Sequence, residues 1–220
     1  MLVAGIDEAG RGCVIGPLVI AGLLVKEENL LTLANLGVKD SKLLSASKRE
    51  TLAPEILLIA EKHVFMKLSP QQIDRVVKSQ RKLHKLNRLE ADTMGQIVSI
   101  LEPDIAYVDA ADVLEKRFGR HILEASAFKA QIVSKHKADN TYPIVSAASI
   151  LAKVERDSDV AKLRTEYGDF GTGYLTDPKS RQFLVSWLKE HREYPECVRK
   201  SWKPAKEVKS NQGTTQQTLL

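Results

Sequence analysis

Leu2-Val3-Ala4-Gly5-Ile6-Asp7-Glu8-Ala9-Gly10-Arg11-Gly12-Cys13 opens on an apolar run, ends that run on two acids, and passes into a glycine-flanked turn. A longer run rich in Val, Ile and Leu follows over residues 14–25. Two such runs joined by a turn-rich connector predict paired strands. Strands that read as continuous apolar runs are covered on both faces, which already implies helices packed over a sheet.

Further along the chain, residues 45–61 read as a helix, with Ser45 or Ser47 as N-cap and Leu52, Ile56 and Ile59 at helical spacing around an early Pro54. Residues 63–68 resemble a third strand. Helical spacing returns within 73–101 at Leu86, Leu89, Met94, Ile97, Val98 and Leu101. Ile105 to Val108 then runs apolar into Asp109, a second strand that ends on an acid. A helix over 113–125, a strand over 129–134, a long helix opening at Pro143 and a helix near 180–191 complete the reading. Ile144, Ala148 and Leu151 give the long helix a buried face, and Pro143 suits its first turn. The order predicts an α/β core with a mixed sheet and a largely helical C-terminal portion. From Lys203 onward apolar residues thin out, and the reading expects a flexible tail over 203–220.

Composition narrows the class. The 220 residues hold 33 Lys and Arg against 28 Asp and Glu, a net charge of +5, with 43% hydrophobic residues and two cysteines. That length buries an ample core without disulfides. Cys13 and Cys197 cannot make a four-ligand zinc site, and a reducing compartment follows as the expectation. The longest apolar stretch, Cys13 to Val25, is broken by Gly16 and Pro17 and is too short to span a bilayer. A soluble, cytoplasmic protein without a membrane partner is expected. The small positive surplus points only faintly to an anionic partner.

The acids are more informative. A carboxylate at the end of a buried strand is costly unless something positive compensates it. If the strands ending at Asp7 and Asp109 are neighbours, the two acids lie about 5 Å apart at the backbone. Their repulsion would raise one pKa, and a divalent cation would remove the conflict. Oxygen ligands suit Mg²⁺ or Mn²⁺. Each acid alone reads as a turn-starter. Asp139 gives them company: it precedes the helix at Pro143, whose positive end would keep its carboxylate ionised. Ser146-Ala147-Ala148-Ser149 supplies small side chains that let this helix approach the sheet. Gly10-Arg11-Gly12 alone marks a hairpin, but directly behind two acids it reads as a substrate-positioning loop, with Arg11 suited to phosphate.

These blocks together resemble the ribonuclease HII family, in its single-domain archaeal form. Asp7-Glu8-Ala9-Gly10-Arg11-Gly12 followed by Ile15-Gly16-Pro17 resembles the family's opening signature, and Asp40-Ser41-Lys42-Leu43 its second block. Tyr107-Val108-Asp109 and His136-Lys137-Ala138-Asp139 resemble the segments bearing its later acids. Ser146 to Val154 resembles its helix, and Gly173-Tyr174 with Asp177-Pro178 its tyrosine block. The blocks keep family order across residues 1–202.

The resemblance implies a ribonuclease H-like fold, a mixed five-stranded sheet flanked by helices, with residues 1–202 as one catalytic domain whose helical C-terminal region closes one side of the substrate groove. It implies Asp7, Glu8, Asp109 and Asp139 as catalytic metal ligands for Mg²⁺ or Mn²⁺, and Gly10, Arg11 and Gly12 as the grip on the ribonucleotide. Tyr174 would stack at the scissile junction, and Lys42 and Lys153 would contact phosphate. The implied activity is two-metal hydrolysis 5′ of ribonucleotides in RNA–DNA hybrids and of single ribonucleotides in duplex DNA, by a monomer serving replication and repair. Two rivals are a ribonuclease H of another type and a catalytically silent nucleic-acid-binding module. The Gly-Arg-Gly loop and the Ser-Ala-Ala-Ser helix oppose type I, and the presence of all four acids opposes a silent module. Cys13 stands where many relatives have proline, so a looser, oxidation-sensitive loop is expected. Leu175 and Thr176 replace the usual proline and serine, which puts that loop's stiffness in doubt. Gln216 and Leu219 match two positions of a sliding-clamp-binding motif, and no aromatic anchor follows them, so a weak clamp contact is expected.

Overall fold

A computed structural model describes the backbone of residues 1–38, 43–80 and 85–217, with side chains to residue 210. Two compact units emerge. The first contains residues 1–9, 19–67 and 82–156, and the second residues 10–18, 68–81 and 157–220.

The first unit is built on a five-stranded sheet in the order β3-β2-β1-β4-β5. Its strands are β1 (Leu2–Ala9), β2 (Leu18–Lys26), β3 (Lys62–Leu68), β4 (Ile105–Asp109) and β5 (Gln131–Lys135). β1 runs antiparallel to β2 and parallel to β4, and β4 runs parallel to β5, so the sheet is mixed as expected. The helices are α1 (Leu30–Asn35), α2 (Ala46–Ile59), α3 (Pro70–Lys78), α4 (Lys85–Leu101), α5 (Glu115–Ala125), α6 (Ala138–Thr141), α7 (Pro143–Tyr167), α8 (Pro178–His191) and α9 (Lys203–Gln217). α3, α8 and α9 belong to the second unit, and α7 begins in the first and ends in the second. Among the described residues no helix is long and apolar enough to cross a membrane.

Two glycines show how closely helices cover the sheet. A Cβ at Gly5 would lie 2.3 Å from the Ile144 carbonyl oxygen, so the first turn of α7 rests directly on β1. A Cβ at Gly22 would lie 2.3 Å from Ile97 Cγ2 of α4. Gly22 faces Ile6 across the β1–β2 ladder, and Ile6 and Gly5 point to opposite faces, so α7 and α4 cover opposite sides. On the α7 side, Val3, Ala21, Leu23 and Val25 pack with Ile144, Ala147, Ile150 and Leu151. Asp7 shares this side by the same alternation.

Local chemistry explains the helix starts. Ser45 is the N-cap of α2 and accepts from the Lys48 amide at 3.2 Å. Ser69 and Gln72 form a capping box that starts α3 at Pro70, and the backbone turns extended at Ser79, so the 73–101 helical reading divides into α3 and α4. Asp177 accepts from the Lys179 amide at 2.9 Å and starts α8 at Pro178. The second unit has its own core, with Val14, Ile15, Val160, Phe170, Leu184 and Val198 buried together.

The structure differs from the expected flexible tail. Helix α9 begins at Lys203, Ala205 is fully buried, and Val208 packs on the second core. Two apolar residues three positions apart suffice to dock one face, too sparse a signal for a periodicity reading.

Candidate active site

The sheet register brings the first two acids together. Ile6 pairs with Val108, and the next position on each strand holds Asp7 and Asp109. Both lie on the α7 face by alternation. β5 then ends, and Lys137, in the left-handed region at φ 55°, turns the chain into α6. That turn aims the Ala138 amide at Asp109 Oδ1, at 2.9 Å, and places Asp139 in the short helix α6. The sequence places Asp139 ahead of the Pro143 helix, and the structure gives it a four-residue helix of its own, too short for periodicity to reveal.

Asp7 feels the charge of both Asp109 and Asp139. Asp7 is 4% exposed, and its pKa is pushed up to about 7, first by burial and next by Asp109, with Asp139 adding to the rise. Hydrogen bonds from the Ser149 hydroxyl and the Glu8 amide, the latter at 2.8 Å, oppose the shift. Ser149 in turn accepts from Lys153 Nζ at 3.0 Å, so Lys153 stands one hydroxyl removed from Asp7. Glu8 supplies its amide to Asp7. Oε2 of Glu8 and Oδ1 of Asp139 are buried and accept no hydrogen bond at those atoms, while both residues interact elsewhere. An all-oxygen donor set with crowded buried negative charge fits a hard divalent cation. No three His, Cys, Asp or Glu side chains among the described residues are closed around one point as ligands.

Asp112, by contrast, is a structural acid. Burial would raise its pKa, but Arg117, the Leu114 amide and Asn87 hold it well below the usual carboxylate range.

The loop and the tyrosine belong to the second unit. Gly10 takes φ 86°, a conformation open to glycine, and a Cβ at Gly12 would lie 3.8 Å from Tyr174 Cε1. The Val14 and Ile15 amides both donate to the Gly173 carbonyl, at 2.8 and 3.2 Å, which ties the tyrosine block to the loop. Ser180 Oγ accepts from the Gly173 amide at 2.9 Å and donates to the Phe170 carbonyl at 2.8 Å. Asp177 accepts from the Thr172 amide at 2.7 Å. These bonds supply the stiffness that Leu175 and Thr176 put in doubt. The expected looseness at Cys13 is likewise corrected: the residue is fully buried and its thiol donates to the Gly10 carbonyl at 3.0 Å, so the sulfur is shielded and the turn is held.

Lys42 lies outside the described residues, as does Leu219, while Gln216 falls in α9 with its side chain outside the description. Two residues escaped the sequence reading. Ser180 is a buried hydroxyl three positions beyond Asp177, and Arg199 is a fully buried arginine that donates to the Gly10 and Arg11 carbonyls. Residues 194–202 mix apolar side chains with Glu196, Arg199 and Lys200, so no local pattern singles out Arg199.

The model of the Ribonuclease HII family matches residues 4–205. Ribonuclease HII of Thermococcus kodakarensis is 48% identical over 210 residues, covering 94% of this chain and 90% of that one. The crystal structure of the ribonuclease H2 from Pyrococcus horikoshii superposes with a TM-score of 0.87 at 40% identity, covering 96% of this chain and 98% of that one. The ribonuclease HII chain in a PCNA complex from Archaeoglobus fulgidus gives a TM-score of 0.83 at 44% identity, covering 92% and 96%. With the ribonuclease H-like sheet, the matched family model and full-length relatives in agreement, the chain belongs to the ribonuclease HII family of ribonuclease H hydrolases.

Proposed function

We propose that this ribonuclease H hydrolyses the phosphodiester 5′ of ribonucleotides, in RNA–DNA hybrids and at single ribonucleotides embedded in duplex DNA, leaving 3′-hydroxyl and 5′-phosphate ends. The observation that carries the reading is the buried Asp7 carboxylate crowded by Asp109 and Asp139 on one face of the sheet. Asp7, Glu8, Asp109 and Asp139 would hold Mg²⁺ or Mn²⁺. When bound, two such cations supply the Lewis acidity that activates water and stabilises the departing 3′-oxygen.

The chain's own residues do the rest. The Ser149 hydroxyl and the Glu8 amide orient Asp7, and the Ala138 amide orients Asp109. Gly10, Arg11 and Gly12 read the 2′-hydroxyl, the group that separates RNA from DNA, and Tyr174 stacks at the junction. Lys42 and Lys153 hold flanking phosphate, Lys153 from a position anchored on Ser149. Residues 1–202 act as the catalytic domain of a cytoplasmic monomer that removes ribonucleotides during replication and repair. The Archaeoglobus relative solved with PCNA supports a sliding clamp as partner, reached through Gln216 and Leu219.

The test is cleavage of a duplex containing one ribonucleotide, with Mg²⁺ and with EDTA. The wild-type protein is expected to cut only with the metal, and Asp109→Asn to lose more than about 100-fold in turnover while keeping its melting transition. Full turnover by Asp109→Asn, or cleavage in EDTA, would overturn the reading.

A further inference from the structure

Arg199 is fully buried, and nearly its whole guanidinium is turned on one short loop. Nη2 donates to the Gly10 carbonyl at 2.7 Å, Nη1 to the Arg11 carbonyl at 2.8 Å, and Nη2 and Nε to the Gly16 carbonyl at 3.2 and 3.3 Å. Nη2 also lies 3.0 Å from Cys13 Sγ. A planar fork with five N–H donors suits this role, where a lysine ammonium would reach fewer carbonyls.

The arginine is itself held in place. Its amide donates to the Val14 carbonyl at 2.9 Å, and Val198 forms an antiparallel bridge with Ile15. Its guanidinium carbon sits 5.1 Å from the centre of the Trp202 ring. Asp74 of α3 accepts from the amides of Lys200 and Ser201, at 2.8 and 2.9 Å, and from the Ser201 hydroxyl at 2.5 Å. The turn carrying Arg199 is therefore fixed by a buried carboxylate behind it.

Peptide geometry converts this into a statement about the loop. In a trans peptide the N–H points opposite to the C=O of the same unit. Holding the Gly10 and Arg11 carbonyls on Arg199 therefore turns the Arg11 and Gly12 amides to the opposite side. Tyr174 flanks the same tripeptide at Gly12. We infer that Arg199 is the positioning residue of the ribonucleotide reader: it sets the direction of the Arg11 and Gly12 amides, and discrimination for the 2′-hydroxyl depends on it. This rests on the function proposed above, in which that tripeptide reads the hydroxyl.

The test compares KM for a one-ribonucleotide duplex with the inhibition constant, Ki, of the all-deoxy duplex of the same sequence. Neither constant depends on the fraction of active protein, so a purely structural role leaves both unmoved. Arg199→Lys is expected to raise KM about tenfold while Ki stays within about twofold. Leu184→Ala, in the core that also buries Val198, is the control: it is expected to lower the melting temperature and leave KM unchanged. Asp74→Asn loosens the turn behind Arg199 and is expected to raise KM about threefold, and it decides the matter if Arg199→Lys does not fold. Unchanged KM in the folded variants would overturn the role of Arg199. Equal KM and Ki in the wild-type protein would instead overturn the reading of the loop as a ribonucleotide reader.

Discussion

Asp7 carries a charge that its surroundings oppose. In the metal-free protein, burial and Asp109 lift its pKa from 3.8 to about 7. Between those values the folded chain keeps a proton that the unfolded chain has released. Stability therefore falls as pH rises from about 4 to about 7, and stays low above that. Asp7→Asn removes the penalty. In EDTA at pH 8 this variant is expected to melt about 5 °C above the wild-type protein, a gain of a few kcal/mol at most, and at pH 4 the gap should close. Saturating Mg²⁺ should reverse the order at pH 8, because only the wild-type protein gains full binding energy. Differential scanning at the two pH values checks this, and a gap that is the same at both would remove Asp7 from the crowded cluster. Asp7 was legible because an acid ends an apolar run. Its link to Ser149 and Lys153 was not, since a hydroxyl relay between a strand and a helix some 140 positions away leaves no local pattern.

At the scale of elements, the β1–α7 contact is a close fit against main chain. Gly5→Ala places a methyl group 2.3 Å from the Ile144 carbonyl oxygen, main-chain atoms that cannot rotate away. The first turn of α7 must shift, at a cost of about 1–3 kcal/mol or more. Urea denaturation should show that loss, and turnover should fall too, because the shift moves the helix that carries Ser149. A variant as stable as the wild-type protein would show that the contact is slack. The apolar runs of β1, β2 and β4 and the small-residue face of α7 were readable because core elements announce themselves by composition. The end of α3 depends on the extended backbone of Ser79 after Lys78, and α6 is one turn long, so neither carries a periodic signal. Asp109 and Asp139 could be named as acids in sequence, whereas the Lys137 turn that unites them exists only in three dimensions.

For the whole molecule, the carboxylates fall in one compact unit and the Gly10–Gly12 loop with Tyr174 in the other. The C-terminal segment carries the clamp contact proposed above. Removal of residues 211–220 is expected to abolish binding to immobilised PCNA of the Archaeoglobus complex, measured by surface plasmon resonance, while cleavage of a one-ribonucleotide duplex remains within about twofold. Undiminished binding would free Gln216 and Leu219 from that role.

The chain passes between its two units at residues 9/10, 18/19, 67/68, 81/82 and 156/157. The unit that holds the Gly10–Gly12 loop is thus interleaved in sequence with the unit that holds the sheet. Recombination between distant homologues with a single crossover would pair a Gly-Arg-Gly loop from one parent with the Arg199 of another. Under the proposed role of the loop, transplanting specificity is expected to require residues 10–18, 68–81 and 157–220 as one linked set.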